Sequence, residues 1–220
     1  PHSYAAAESY VQTNICGLLN ILEILKTRHF TRLVNTSTSE VYGTAITRPI
    51  SESHPLQGQS PYSASKIAAD HFIEAFHRSF DMPVVTLRPF NTFGPRQSTR
   101  AVIPTIIRQL MDPNTEVLKM GDLSPIRDFN YVEDIVEAFI QLMFNDGIKY
   151  GEAYNAGSGN TITIGDTVKI IEKNLGITKK IITDKRKSRP SKSEVFELIA
   201  DSSKFKAATG WEPKITFEQG

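Results

Sequence analysis

The chain has 220 residues, enough to bury a sizeable core as one domain or two small ones. Lys and Arg total 25 against 24 Asp and Glu, a net charge of +1, which argues against nucleic acid or an anionic membrane as the main partner. A single cysteine, Cys16, excludes an internal disulfide and suits a reducing compartment; with no long apolar run and no cleavable signal, a soluble cytoplasmic protein is expected.

Tyr10 to Lys26 places Val11, Ile15, Leu18, Leu19, Leu22 and Leu25 at helical spacing, with Cys16 inside the apolar run. Arg32 to Thr36 reads as a buried strand running into a polar tip. That tip is Thr36-Ser37-Thr38-Ser39-Glu40-Val41-Tyr42-Gly43, rich in hydroxyls and holding one carboxylate. Open α/β sheets place their ligands at such strand tips. Glu52 to Ser60, with Pro55 and Gly58, is a loop by composition, and Ser60-Pro61 starts a helix that reaches about Phe80. Ile67, Ala68, Phe72, Ile73 and Phe76 form its apolar stripe. Val84 to Leu87 is a strand by its β-branched run, and Ala101 to Leu110 and Thr163 to Leu175 read as helices. Lys179 to Lys192 holds seven Lys and Arg, either a solvated loop or a clamp for a diphosphate. His2, His29, His54, His71 and His77 show no ligand spacing, so no metal site is expected.

Tyr62 and Lys66 are four apart on the helix that Ser60-Pro61 opens, and so share one face. A free phenol titrates near ~10 and is a poor base at neutral pH. An ammonium beside it favours the phenolate, which can then take a proton from a sugar or alcohol hydroxyl. Taken alone the spacing is commonplace; the hydroxyl-rich strand tip upstream gives it weight.

Ser-Thr-Ser-Glu-Val-Tyr-Gly (Ser37 to Gly43), followed by Pro-Tyr-Ser-Ala-Ser-Lys (Pro61 to Lys66), resembles the extended short-chain dehydrogenase/reductase family of sugar-nucleotide epimerases and dehydratases, over essentially all 220 residues. The resemblance implies an α/β fold: a Rossmann-type doubly wound parallel sheet with a small C-terminal α/β substrate-binding region. It implies that residues 1–95 are the C-terminal part of the NAD-binding domain with the catalytic residues. Residues 96–220 would mainly bind substrate, with 125–160 returning to the sheet. No Gly-x-x-Gly-x-x-Gly occurs in the chain, so a fragment lacking on the order of 80 N-terminal residues of the usual fold is expected. NAD is the implied cofactor, contacted by Asn14, Thr36, Tyr62, Lys66 and Pro89. The implied catalytic set is Thr38, Ser39, Glu40, Tyr62 and Lys66. The implied substrate contacts are Asn91, Arg127 on the diphosphate, and Arg189 and Glu194. The last two fall in Arg189-Pro190-Ser191-Lys192-Ser193-Glu194-Val195, which looks like the nucleotide clamp of GDP-mannose 4,6-dehydratases. The Tyr10 and Tyr62 helices pair across a homodimer in that family.

The residue beside the tyrosine points to the member. Epimerases usually carry no carboxylate at this triplet, whereas Thr38-Ser39-Glu40 offers one. In a 4,6-dehydratase Tyr62 takes the 4-hydroxyl proton, Glu40 takes the proton on carbon 5, and water leaves from carbon 6. Glucose-type dehydratases have Asp where Ser39 stands; GDP-mannose-type enzymes have Ser, which leaves the acid of the leaving hydroxyl open, with Glu40 the candidate for both steps. UDP-glucuronate decarboxylases share Thr-Ser-Glu-Val-Tyr-Gly and are the sharpest rival, with 4-epimerases behind. Arg88 to Pro104 and His54 to Ser60 look like the dehydratases of bacterial legionaminic-acid pathways, which implies UDP- or GDP-N-acetylglucosamine as substrate. A non-catalytic sugar-nucleotide-binding fragment is the reading from another class.

Overall fold

A computed structural model describes residues 2–184 and 195–220. The chain enters a continuous helical stretch, α1, made of Ala7–Tyr10, a π-helical Val11–Cys16 and Gly17–Leu25. Strand β1 (Leu33–Thr36) and helix α2 (Pro61–Phe80) follow. Next come β2 (Val84–Pro89), β3 (Thr92–Phe93), α3 (Val102–Met111) and β4 (Val117–Met120). Short strands β5 (Ile126–Arg127) and β6 (Asn130–Tyr131) lead into α4 (Val132–Phe144) and β7 (Ala153–Ala156). Strand β8 (Ile162–Thr163), α5 (Ile164–Leu175), β9 (Lys180–Thr183), β10 (Glu197–Leu198) and α6 (Ser203–Thr209) close the chain.

The central sheet is parallel, in the order β1-β2-β7, with Thr36 opposite Leu87 and Pro89 opposite Ala156. Strand pleating sends neighbours along β2 to opposite helix layers. Val84 packs with Leu22 of α1, Ile73 and Phe76 of α2, and Met82 just before the strand, whereas Val85 and Leu87 pack with Ile135, Ala138, Leu142 and Phe205, from α4 and α6. Helices therefore cover both faces of a parallel sheet, the expected α/β, Rossmann-type architecture. Each fully buried aliphatic side chain in these seams contributes about 1.5–3 kcal/mol of transfer free energy. A further core joins Ile103, Ile106 and Leu110 of α3 to Leu118, Val168 and Ile171.

Two expected elements differ in detail. The Tyr10 to Lys26 helix contains the π-helical turns of Val11–Cys16, a widening found often near functional sites. The strand expected to stop at Leu87 runs on to Pro89, because Arg88 stays buried by pairing with Asp70. The last helix, Ser203–Thr209, is ended by Gly210 in the left-handed region at φ 73°. Among the described residues no helix is long and apolar enough to cross a membrane.

Candidate active site

Parallel pairing brings the carboxyl ends of β1, β2 and β7 to one edge, and backbone bonds extend the register there. Ser37 N donates to Leu87 O at 2.8 Å, and Phe90 N to Ala156 O at 2.8 Å. Beyond β1 the chain tightens into a 3-10 turn, Ser39–Tyr42, capped by the Thr38 hydroxyl, which accepts from Glu40 N at 3.2 Å. Gly43 ends the turn at φ 65°, where an added Cβ would lie 2.6 Å from Gln57 O. Only glycine satisfies both demands. Helix α2 opens with a capping box between Ser60 and Ser63 and with Pro61 in its first turn. Tyr62 and Lys66 therefore sit on the first turns of a firmly started helix.

The structure brings Tyr62, Thr38 and Glu40 together. The Thr38 hydroxyl hydrogen-bonds the Tyr62 side chain, and the Glu40 carboxylate is close enough to act on it electrostatically. The Tyr10 ring stands edge-on to Tyr62 at 5.7 Å. Burial is the largest influence on the phenol and holds it above its ordinary value; Glu40, Tyr10 and Asp70 add to this, and the Thr38 bond offsets it. Lys66 donates to the Thr36 carbonyl at 2.7 Å, and burial pushes its amine down, with Asp70 opposing. The simple expectation of an ammonium stabilising a phenolate thus meets a competing commitment: Lys66 is seated on the strand tip.

Asn14, on the π-helical turn, donates to Ser65 Oγ at 2.9 Å, and Ser65 Oγ donates to Tyr62 O at 2.7 Å. It thereby ties α1 to the first turn of α2. Thr36 is exposed at the tip of β1, and Pro89 ends β2. Ser39 is buried at 2% exposure, so Glu40 is the carboxylate of this turn that remains partly open. The Asn91 side-chain oxygen is buried without a protein partner, a hydrogen-bonding capacity the fold leaves unused. Arg127 is nearly buried, its Nη1 donating to Ile126 O at 2.9 Å and Phe196 O at 3.4 Å. Arg189 and Glu194 lie outside the described residues, as does most of the basic run; Lys179 donates to the carbonyls of Gln109 and Asp112. Among the described residues no group of His, Cys, Asp or Glu is arranged to hold a metal.

Sequence reasoning missed the polar groups behind this site. Asp70 pairs with Arg88 at 2.9 Å, both within 6% exposure, and Arg88 reaches Tyr42 OH, which donates to Asn155 Oδ1 at 2.7 Å. The signal was present: an Asp on the buried stripe of α2 and an Arg at the end of a β-branched run. Asp128, fully buried, accepts from Ser158 N and Oγ, Gly159 N, Ala200 N and Asn130 Nδ2. It staples the turn after β7 to the segment after β10.

A family model described as GDP-mannose 4,6 dehydratase matches residues 1–220. The chain belongs to that family. Among curated relatives it is 34% identical to the low-salt glycan biosynthesis protein Agl12 of Haloferax volcanii, over 99% of this chain and 68% of that protein. Among solved structures it superposes on dTDP-glucose 4,6-dehydratase from Bacillus anthracis, determined with NAD, at TM-score 0.84 and 33% identity, covering 94% of this chain and 65% of that one. The UDP-glucuronic acid 4-epimerase of Bacillus cereus, with UDP-glucuronic acid and NAD, gives 0.89 at 28% identity, covering 96% and 65%. The chain thus spans about two thirds of the length of these relatives.

Proposed function

We propose that this protein is an NAD-dependent nucleotide-sugar 4,6-dehydratase, and that the sugar is N-acetylglucosamine carried on UDP or GDP. The observation that carries the reaction is the grouping of Glu40 with Thr38 and Tyr62. Oxidation at carbon 4 needs, besides the hydride acceptor, one base, the tyrosine; a partly open carboxylate beside it suits a second proton transfer. The substrate assignment rests on the likeness of His54 to Ser60 and Arg88 to Pro104 to dehydratases of that specificity.

The residues at the strand tips suit the nicotinamide-ribose end of a dinucleotide. Tyr62 and Lys66 offer hydroxyl and ammonium donors, Thr36 is exposed, and Asn14 braces the helix that carries the pair. Bound there, NAD would supply a hydride acceptor that returns the hydride within one cycle, and a positively charged ring. Tyr62, held by Thr38, takes the proton of the 4-hydroxyl. Once carbon 4 is a ketone, the hydrogen on carbon 5 is acidic and Glu40 removes it. The carbon 6 hydroxyl leaves as water, protonated from Glu40, since Ser39 is no acid; return of the hydride to carbon 6 and of a proton to carbon 5 would then give the 4-keto-6-deoxy sugar. Asn91 and Arg127, with Arg189 and Glu194, would hold the sugar nucleotide. In this reading residues 1–95 serve NAD and catalysis and 96–220 mainly the substrate. A homodimer through α1 and α2 and a cytoplasmic location complete it.

The test is a mass-spectrometric survey of products from UDP- and GDP-N-acetylglucosamine, GDP-mannose, UDP-glucose and UDP-glucuronate with NAD. Loss of water from an N-acetylglucosamine nucleotide is expected, and Glu40→Gln should slow that loss by about 10²–10⁴-fold while oxidation at carbon 4 survives. Loss of carbon dioxide from UDP-glucuronate would establish a decarboxylase instead. A new species of unchanged mass, separated by chromatography as the carbon 4 epimer, would establish the epimerase that the second structural neighbour suggests.

A further inference from the structure

The groups that touch the proposed reaction sit on two elements, the first turns of α2 and the turn Ser39–Tyr42. One buried polar chain reaches both. Asp70 lies one helical turn beyond Lys66. Its Oδ2 accepts from Ser37 Oγ and Arg88 Nε, each at 2.9 Å, and its Oδ1 from Asn35 Nδ2 at 3.2 Å. Asn35 and Ser37 flank Thr36, whose carbonyl seats the Lys66 ammonium. At the other end Arg88 Nη1 donates at 2.9 Å to Tyr42 OH. Tyr42 is the last residue of the turn that carries Glu40.

Cohesion alone does not account for this arrangement. Replacing a buried ion pair by apolar residues is often neutral or stabilising, and the adjacent buried positions of α2 are Ala69 and Ile73. The pair is also reachable from outside the reaction site. A cavity of about 350 Å³ opens on Asp70 and Arg88, rimmed by Glu52, His71, Glu74, Arg78, Glu152 and Lys204; neither Tyr62, Lys66 nor Glu40 lines it.

We infer that Asp70 is a positioning residue: through Ser37 and Asn35 it fixes the seat of Lys66, and through Arg88 and Tyr42 it fixes the turn of Glu40, so that one buried chain spaces the base and the carboxylate of the reaction. This rests on the dehydratase reading above. Asp70 also opposes the burial that pushes the Lys66 amine down, and so helps to keep that amine charged.

The test uses the full-length protein and three variants: Asp70→Asn, the double variant Asp70→Asn with Arg88→Met, and Tyr42→Phe. Three quantities are read: thermal midpoint, kcat and KM, and the pH midpoint of Lys66 acylation followed by peptide mass spectrometry. The acylation needs neither NAD nor substrate. Asp70→Asn should lower kcat about 10–100-fold with KM within about threefold, and shift the Lys66 midpoint down. The double variant, with both charges gone, should regain thermal stability without regaining kcat. Tyr42→Phe should lower kcat and leave the Lys66 midpoint in place. Recovery of kcat together with stability in the double variant would overturn the inference, because the pair would then be structural only. A Lys66 midpoint unchanged in Asp70→Asn would remove the link to the base, and wild-type kcat in Tyr42→Phe the link to Glu40. If no form of the protein turns over any nucleotide sugar, the dehydratase reading fails, while the Lys66 midpoint still decides whether Asp70 governs Lys66.

Discussion

At Tyr62, burial, Glu40, Tyr10 and Asp70 all oppose ionisation, and the Thr38 hydroxyl favours it. Tyr42, twenty residues earlier, shows the same physics without a reactive role. Desolvation lifts its phenol to about 12 from 10.0, against the pull of Arg88. A raised folded-state value means that the unfolded chain loses this proton first as pH rises. The stabilising contribution is therefore complete below pH 10 and is lost between pH 10 and about 12. Its size is about 3 kcal/mol. Urea unfolding across that window should show a steep loss of stability, and Tyr42→Phe should flatten it. A variant with the wild-type slope would assign the alkaline loss to other groups. At this scale the motif residues Thr38, Glu40, Tyr62 and Lys66 were legible, because local spacing already puts them on neighbouring turns. Asp70 and Arg88 were not paired from sequence, since nothing local says that the helix and the strand meet there.

Among the elements, α2 was legible to the residue. Ser60, Pro61 and Ser63 act on their own backbone, and the structure shows both bonds of the capping box. Ser60→Ala should cost about 1 kcal/mol and lower the thermal midpoint by about 2–4 °C, read by calorimetry. An unchanged midpoint would mean that packing of the helix against β2 alone sets its start. The π-helical turns of α1 gave no signal in the apolar spacing, which a π turn shifts by only one residue. They are held by tertiary contacts, among them Asn14 with Ser65 and Tyr10 with Tyr62. The short strands β3, β5, β6, β8 and β10 have two residues each. Two residues carry no period, so pairing alone defines them.

For the whole molecule, the apolar side chains left on the outer faces of α1 and α2 matter most. Val11, Ile21, Ile24 and Phe80 are 43%, 49%, 61% and 48% exposed. Burying such a patch in the proposed homodimer removes it from water. Ile24→Glu should convert dimer to monomer in sedimentation velocity with the fold intact, since Ile24 makes little of the core. A wild-type protein that sediments as a monomer would remove the dimer from the proposal.

The amino-acid sequence by itself determined the α/β class, the helix of Tyr62 and Lys66 with its start, the hydroxyl-rich tip after β1 and the family. All of these are written in local spacing: helical period, capping chemistry and motif residues within a few turns of each other. Only the tertiary structure decided that Lys66 sits on the Thr36 carbonyl, that Tyr62 is held above its ordinary value, and that Asp70, Arg88, Tyr42 and Asn155 form one chain. Those contacts join residues 18 to 113 apart. Their energies depend on burial and on distance across elements, which no pattern along the chain encodes.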